Sequence, residues 1–325
     1  MNEFDAIARY FRWPTPSAAL GAGDDCALWA VPEGQQLAIS SDMLVSGRHF
    51  FADTDPYGLG HKALAVNLSD LAAMGARPVA FTLALALPQL DADWLSAFAQ
   101  GMRDLAHAHG CELIGGDTTA GPLTISITVL GHVPVGAALR RDGAHAGDDL
   151  YISGQIGDAR LALQQRLSEG LAKASPWDLS AADQAYVIQR LERPQARVAL
   201  GLALRGVASA AMDLSDGLAG DLTHLLHASG CGATVRLADL PLSPVLRGLP
   251  PHTAQTLAAC GGDDYELLFC APPSARAAID DISQRLGVAL TRVGCMDEQA
   301  GMRLLDAQGL DLAPSLRGFD HFACS

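Results

Sequence analysis

The sequence predicts two mixed α/β domains, and three observations carry that expectation. Short β-like apolar runs alternate with amphipathic helical stretches of about 10–15 residues along the chain. The 325 residues suffice for two domains of ordinary size. Around "RRDGAHAGDDL" (140–150) the texture turns polar and glycine-rich, and the domains are placed at 1–138 and 139–325.

In the first half "QLAISSDMLV" (36–45) reads as a strand breaking into a polar turn. Leu64, Leu68 and Leu71 recur at i, i+4 and i+7, so "AVNLSDLAAMGARP" (65–78) reads as a helix with one buried face. Asn67 and Asp70, three apart, share another face. No Lys or Arg lies between Lys62 and Arg77, which leaves two readings for Asp70: an exposed acidic face or a metal ligand. "PVAFTLALAL" (78–87) is a second strand. A helix follows over 91–109, with Asp91 as its N-cap and Gly110 ending it. "CELIGGDTT" is a strand entering a glycine turn, and "LTISITVLG" (123–131) alternates as a half-buried strand.

The second half continues the pattern. "LYISG" is a strand, 158–170 a helix, and 182–206 a helical region interrupted at Pro194. "LAGDLTHLLHASG" (218–230), "YELLFCA", a helix over 274–286 and "VALTRVGC" complete it. The first half carries more consecutive strands and reads toward α+β.

Composition narrows the function. At 49% hydrophobic residues the chain builds full cores. No apolar run approaches the roughly 20 residues of a membrane span, and the N-terminus is unlike a secretory signal. Seven scattered cysteines without a C-x-x-C pair point to a reducing compartment, hence a cytoplasmic protein. A net charge of −14 with two lysines argues against nucleic acid as a partner. So acidic a protein handling an anionic substrate needs divalent cations between them.

The carboxylates concentrate beside Gly or Ser at apparent strand ends: Asp24 and Asp25, Asp42, Asp70, Asp117, Asp213 and Asp216, Asp263 and Asp264. Singly, each is ordinary turn chemistry. Together they form a set of hard oxygen donors suited to Mg²⁺. EF-hand, zincin and P-loop patterns are absent, so a nucleotide would be held through metals, backbone amides and arginine. Arg140 or Arg141 is a candidate phosphate clamp. "SGQIGDARLAL" offers a phosphate cradle, although Asp158 as an ordinary N-cap explains it fully. His49 follows the "SSDM" turn and is the one histidine expected near a metal site.

"GAGDDCA", "AISSDMLVSGRHF", "KALAVNLSDLAAMGARP", "LIGGDTT", "MDLSDGL", "GGDDYEL" and "GFDHF" occur in order along the chain. Together they resemble the thiamine-monophosphate kinase family, related to aminoimidazole ribonucleotide synthetase and selenophosphate synthetase. The resemblance implies ATP-dependent phosphorylation of thiamine monophosphate with several Mg²⁺ ions. It also implies a homodimer in which the N-terminal sheet domain, the metal- and ATP-binding one, closes a shared barrel, beside a layered C-terminal α/β domain. Carried over by motif, the metal ligands are Asp25, Ser40, Ser41, Asp42, Asp70, Asp117, Asp213 and Asp216. Gly116, Asp117, Arg141 and Ser215 contact ATP, while His49, Asp263 and Phe319 border the substrate. Asp42, Asp70, Arg141 and Asp213 carry catalysis. Two positions depart from the pattern: Asp263 stands where the family writes Glu, and Ala99 where some relatives place an aromatic. The alternatives are a sibling ATP-using enzyme, a non-catalytic Mg-nucleotide-binding protein and a Mg²⁺-dependent phosphatase.

Overall fold

Helix α2 (Pro56–Ala73) organises the first part of the chain in the computed structural model, which describes residues 2–170 and 177–316. Asp55 caps it by accepting the Gly58 N–H at 2.9 Å, and Pro56 fits the first turn, where no amide donor is needed. It stops at Gly75, whose φ of +62° suits a residue without a Cβ, and Ala76 N–H closes back onto the Leu71 carbonyl. Leu64, Leu68 and Leu71 are buried as their spacing predicts, but so are Ala65, Asn67, Ser69 and Ala72. A helix buried on nearly all sides needs cover on several faces. Here α3 (Ala92–His109) packs against it, and so does a sheet.

That sheet has the order β1-β4-β2-β3, from β1 (Gln35–Val45), β2 (Arg77–Leu87), β3 (Glu112–Ala120) and β4 (Thr124–Pro134). Strands β2 and β3 are parallel, with α3 between them in the chain; the other pairings are antiparallel. A short α1 (Glu3–Ala6) precedes β1. Phe81, Leu83, Leu85, Ile125, Ile127 and Val129 are buried, whereas Ile39 (62% exposed) and Met43 (56%) stand on the uncovered side of β1. The sheet is open. Residues 36–45 do not break into a turn: β1 pairs with β4 without interruption from Gln35 to Val45, so Ser40, Ser41 and Asp42 sit mid-strand. Pairing with β4 on one side and the Asn67 side chain, which accepts the Asp42 N–H, on the other override the local turn preference of Ser and Asp.

Contacts divide the chain into two units, Met1–Ala138 and Leu139–Ser325. The second holds a six-stranded sheet, β10-β7-β9-β5-β8-β6. Its strands are β5 (Asp149–Ser153), β6 (Ala210–Asp213), β7 (Gly232–Arg236), β8 (Leu267–Ala271), β9 (Leu290–Asp297) and β10 (Gly301–Leu305). Among these strands only β7 and β10 pair in parallel. The helices are α4 (Asp158–Gly170), α5 (Ala181–Glu192), α6 (Val198–Leu204), α7 (Leu218–Ser229), α8 (Pro244–Arg247), α9 (Pro251–Cys260) and α10 (Arg276–Leu286). Leu222, Leu225 and Leu226 of α7 share one core with Leu150, Ile152, Leu268, Val293 and Leu304 of the sheet. Strands β7 and β10 and helices α8 and α9 go beyond what the sequence pattern announced. Among the described residues no helix is long and apolar enough to cross a membrane.

Leu68 of α2 is fully buried. Leu68→Ala is expected to lower unfolding stability by about 2–5 kcal/mol in urea titration, the range for a core leucine whose cavity cannot collapse.

Candidate active site

Alternation along β1 puts Ser40 and Asp42 on the face that meets α2 and sends Ser41 to the other. The Ser40 hydroxyl donates to the Asp70 carboxylate, and the Asp42 backbone N–H donates to Asn67 Oδ1 at 3.0 Å. Asn67 is itself anchored, its amide donating to the Ala63 carbonyl one turn back. Asn67 and Asp70 thus share a helix face as their spacing predicts, and that face looks onto β1. Asp42 and Asp70 stand close enough to repel. Burial first, and the Asp70 charge second, push the Asp42 carboxyl up to about 6. Ser41 lies outside this group: its hydroxyl donates to the Ile127 carbonyl at 3.1 Å and meets Thr128 Oγ1 at 3.0 Å. His49 follows the end of β1, where its Nδ1 accepts the Val45 N–H at 3.0 Å, leaving Nε2 to carry the neutral ring's proton.

A second part of the first unit is a cavity of about 340 Å³. Asp24 and Asp25 line it from the "GAGDDC" turn, and Gly115, Gly116, Asp117 and Thr118 from β3. Ile7, Phe11, Leu83 and Leu113 supply apolar wall. The structure brings Asp25, Gly116 and Asp117 together, though Asp117 lies within β3 rather than at its end. Gly116 has φ +151°, and a Cβ there would fall 1.9 Å from the Leu83 carbonyl oxygen, so the strand tolerates only glycine at this point. Ala99 is buried within α3.

In the second unit Asp213 ends β6 and the segment 214–217 leads into α7. Asp221 Oδ2 accepts three consecutive amides, from Ser215 (3.0 Å), Asp216 (3.0 Å) and Gly217 (3.1 Å). Burial and then the charges of Asp213 and Asp216 raise its carboxyl to about 7. The "GGDDYEL" segment zips onto the same loop: Asp263 N–H donates to the Ser215 carbonyl (2.9 Å) and Tyr265 N–H to that of Leu214 (2.8 Å). Asp263 and Tyr265 both take left-handed backbone angles, φ +69° and +51°. Non-glycine residues there are strained, and such strain clusters at functional segments.

Two neighbouring carboxylates anchor that segment. Glu266, 1% exposed, is clamped by Arg197 through two contacts of 2.6 Å, by Arg190 at 3.1 Å and by the Ser153 hydroxyl at 2.6 Å. Asp264 accepts the Gly157 N–H on both oxygens, and burial pushes its carboxyl well above the ordinary carboxylate range. The glycine turn at 154–157 is therefore filled from inside and is no phosphate cradle. Asp158 is not an N-cap either. It is the first residue of α4, buried, and its carboxylate accepts the hydroxyls of Ser243 (2.6 Å) and Tyr186 (3.1 Å).

Of the paired arginines, Arg140 is taken by Asp142, with Nε–Oδ1 at 2.8 Å and Nη2–Oδ2 at 2.5 Å. Arg141 is exposed, and its carbonyl accepts the Ser229 hydroxyl at the C-terminal end of α7. Ser215 lies at the other end of that helix, about 18 Å along its axis by helical rise. Phe319 lies outside the described residues.

Among the described residues no three or more of His, Cys, Asp and Glu are gathered closely enough to hold a metal ion. Mg²⁺ is commonly held by one or two carboxylates, with waters and substrate phosphates completing the octahedron. Asp42 and Asp70 with the Ser40 hydroxyl, all oxygen donors, match that chemistry.

The region 23–133 matches the model described as AIR synthase related protein, N-terminal domain, and 145–306 the corresponding C-terminal domain. Over 99% of its length the chain is 46% identical to thiamine-monophosphate kinase of Escherichia coli strain K12, of which it covers 98%. The chain belongs to the thiamine-monophosphate kinase family. A crystal structure of that kinase from Stenotrophomonas maltophilia superposes with a TM-score of 0.83 at 45% identity, over 93% of this chain and 94% of the other. AaThiL complexed with AMPPCP and TMP superposes at 0.76 with 29% identity, over 90% and 89%. Like these relatives, the chain folds as two mixed α/β domains.

Sequence reasoning missed Asp221, Asp264 and Glu266 as supports of the family's motif loops. For Asp221 the signal was faint, an acidic residue inside an apolar pattern as with Asp70, while Asp264 stood among the candidate metal donors instead.

Asp42 gives a prediction that needs no ligand. Its folded carboxyl titrates near 6 rather than 3.8, so the folded chain holds this proton more tightly than the unfolded one. The cost of the carboxylate is absent below about pH 4 and complete above about pH 6. In chelator, Asp42→Asn is expected to stabilise the protein at pH 7.5, by up to about 3 kcal/mol. In thermal or urea unfolding that gain should fade toward pH 4.

Proposed function

We propose that this protein transfers the γ-phosphoryl group of ATP to thiamine monophosphate, giving thiamine diphosphate. The observation that carries the reading is the full-length match to curated thiamine-monophosphate kinases, at 46% identity over 99% of the chain. The AaThiL complex with AMPPCP and TMP supports it by pairing a nucleoside triphosphate analogue with a second ligand on the same fold.

The acceptor is a phosphate already ionised near neutral pH, so no strong general base is required. The difficulty is charge, because two anions must approach in line, and alignment with electrostatic stabilisation does the work. A bound Mg²⁺ would supply positive charge to offset the phosphoryl oxygens. In our reading Asp42 and Asp70 carry the central cation site, with Ser40 holding the Asp70 carboxylate in place. Asp25 and Asp117 serve from the cavity that the "GAGDDC" turn lines, and Ser41 adds a further oxygen donor. Asp213 and Asp216 serve from the loop before α7. Gly116, Asp117 and Ser215 contact the triphosphate, and the exposed Arg141 clamps it. Phe319 and His49 border the thiamine monophosphate together with Asp263, whose backbone is fixed against the Ser215 loop. Asp213 acts with Asp42 and Asp70 in stabilising transferred charge.

We further place the protein in the cytoplasm as a homodimer. The uncovered side of β1, with Ile39 and Met43 exposed, is an apolar edge suited to closing a shared barrel with a second sheet. Ile39→Arg is expected to shift the sedimentation coefficient from dimer to monomer. An unchanged coefficient would place the interface elsewhere.

With Mg-ATP, ADP should form with thiamine monophosphate as acceptor, and mass spectrometry should find thiamine diphosphate. No ADP should form with thiamine or without an acceptor. ADP formed only with another phosphorylated acceptor would move the protein to a sibling activity. Asp70→Asn should keep the fold by circular dichroism and lose activity by at least about 100-fold; near-normal turnover would remove Asp70 from the cation site.

A further inference from the structure

Asp221 is buried in the first turn of α7, and the function proposed above gives it no role. One of its oxygens receives the N–H groups of Ser215, Asp216 and Gly217 at 3.0–3.1 Å. Three successive amides converging on a single atom fix three peptide planes at once. Gly217, at φ +100°, lets the chain turn from that nest into the helix. The loop so wrapped carries Ser215 and Asp216 and joins Asp213 to α7. Through the Ser215 carbonyl it also carries the Asp263 backbone, and through the Leu214 carbonyl that of Tyr265. A third carboxylate near Asp213 and Asp216 is electrostatically unfavourable. Its retention there is accounted for by the amides it gathers.

We infer that Asp221 is a positioning residue that holds the 213–217 loop and, through it, the Asp263 segment in the geometry needed for cation and phosphate binding, without itself ligating a cation. The inference takes from the proposed function that Asp213 and Asp216 bind the divalent ion. The shape of the loop does not depend on which phosphate is the acceptor.

Two substitutions at Asp221 separate positioning from ligation because they change different things. Asp221→Asn removes the charge and keeps an oxygen acceptor at the same reach. Asp221→Glu keeps the charge but moves the oxygens by one methylene. Two readouts are taken on the purified full chain: Mn²⁺ binding, from the loss of the free-ion electron paramagnetic resonance signal, and the Mg²⁺ concentration for half-maximal kinase activity. Circular dichroism and the thermal midpoint establish that each variant is folded.

Positioning predicts that Asp221→Asn stays within about fivefold of wild type in both readouts. Asp221→Glu should weaken Mn²⁺ binding and raise the half-maximal Mg²⁺ concentration by about tenfold or more, since a displacement of about 1 Å costs up to about 100-fold. The opposite order, with Glu mild and Asn severe, would make Asp221 a ligand and overturn the inference. Two mild variants would also overturn it, by showing that the amide nest is dispensable. Should the Glu variant fail to fold, Asp221→Ser replaces it: a shorter acceptor that should lose Mn²⁺ affinity while Asn retains it. Because Mn²⁺ binding is read without substrate, these outcomes stand apart from whether thiamine monophosphate is the acceptor. Failure of that reading would appear instead as absent thiamine diphosphate in the wild-type reaction.

Discussion

The burial of Asp42 beside the Asp70 charge, at the seam of β1 and α2, is the constraint on which the first unit's site depends. Burial first and the Asp70 charge second draw the Asp42 titration up to about 6, and both costs would ease if the backbone allowed strand and helix to part. It does not allow it. Strand β1 is paired along its length with β4, and α2 is buried on nearly every side. The Ser40–Asp70 and Asp42–Asn67 hydrogen bonds fix where the charges stand. A core that could relax would lower this energy and lose the site; here the packing of Leu64, Leu68 and Leu71 holds it. Stability is given up locally for a charge density that a divalent cation can use.

The second unit treats its acids differently. Glu266 is closed off by two arginines and a serine, Asp264 by the Gly157 amide, and Asp221 by three successive amides. These carboxylates are occupied with the protein itself. Their contacts shape the two loops, 213–217 and 261–266, that bear Asp213, Asp216 and Asp263. A buried ion pair such as Arg197–Glu266 adds little net stability against an apolar alternative, but breaking it leaves an unpaired charge. It therefore specifies one arrangement of the adjoining backbone rather than strengthening the fold at large.

Much of this is legible in the sequence alone. The α3 boundaries, with the Asp91 cap and the Gly110 stop, follow from local chemistry, since cap side chains and left-handed glycines act within a few residues. So does the shared face of Asn67 and Asp70. What that face meets is not legible, because β1 lies some 25 residues away and no local rule reports a tertiary contact. For the same reason Ser40–Asp42 reads as a turn: in isolation those side chains compete for the backbone, and pairing with β4 together with the Asn67 side chain of α2 removes the competition. Asp158 misleads in the opposite direction. A residue ideal for capping is recruited by Ser243 and Tyr186 from distant parts of the chain.

Asp263 shows how backbone and side chain trade against each other at one position. The family pattern has Glu there, one methylene longer. In this chain the residue sits at φ +69°, pinned by its N–H to the Ser215 carbonyl. Asp tolerates left-handed angles better than most side chains with a Cβ, because its short carboxylate can bond locally to the backbone. The substitution therefore eases strain in the loop while drawing the carboxylate back from whatever it faces. If the loop is held as firmly as the Asp221 nest and the Glu266 clamp imply, it cannot advance to recover the lost reach. A contact that Glu makes directly would then pass through a bridging water, which preserves most of the hydrogen-bond enthalpy at a modest cost in ordering.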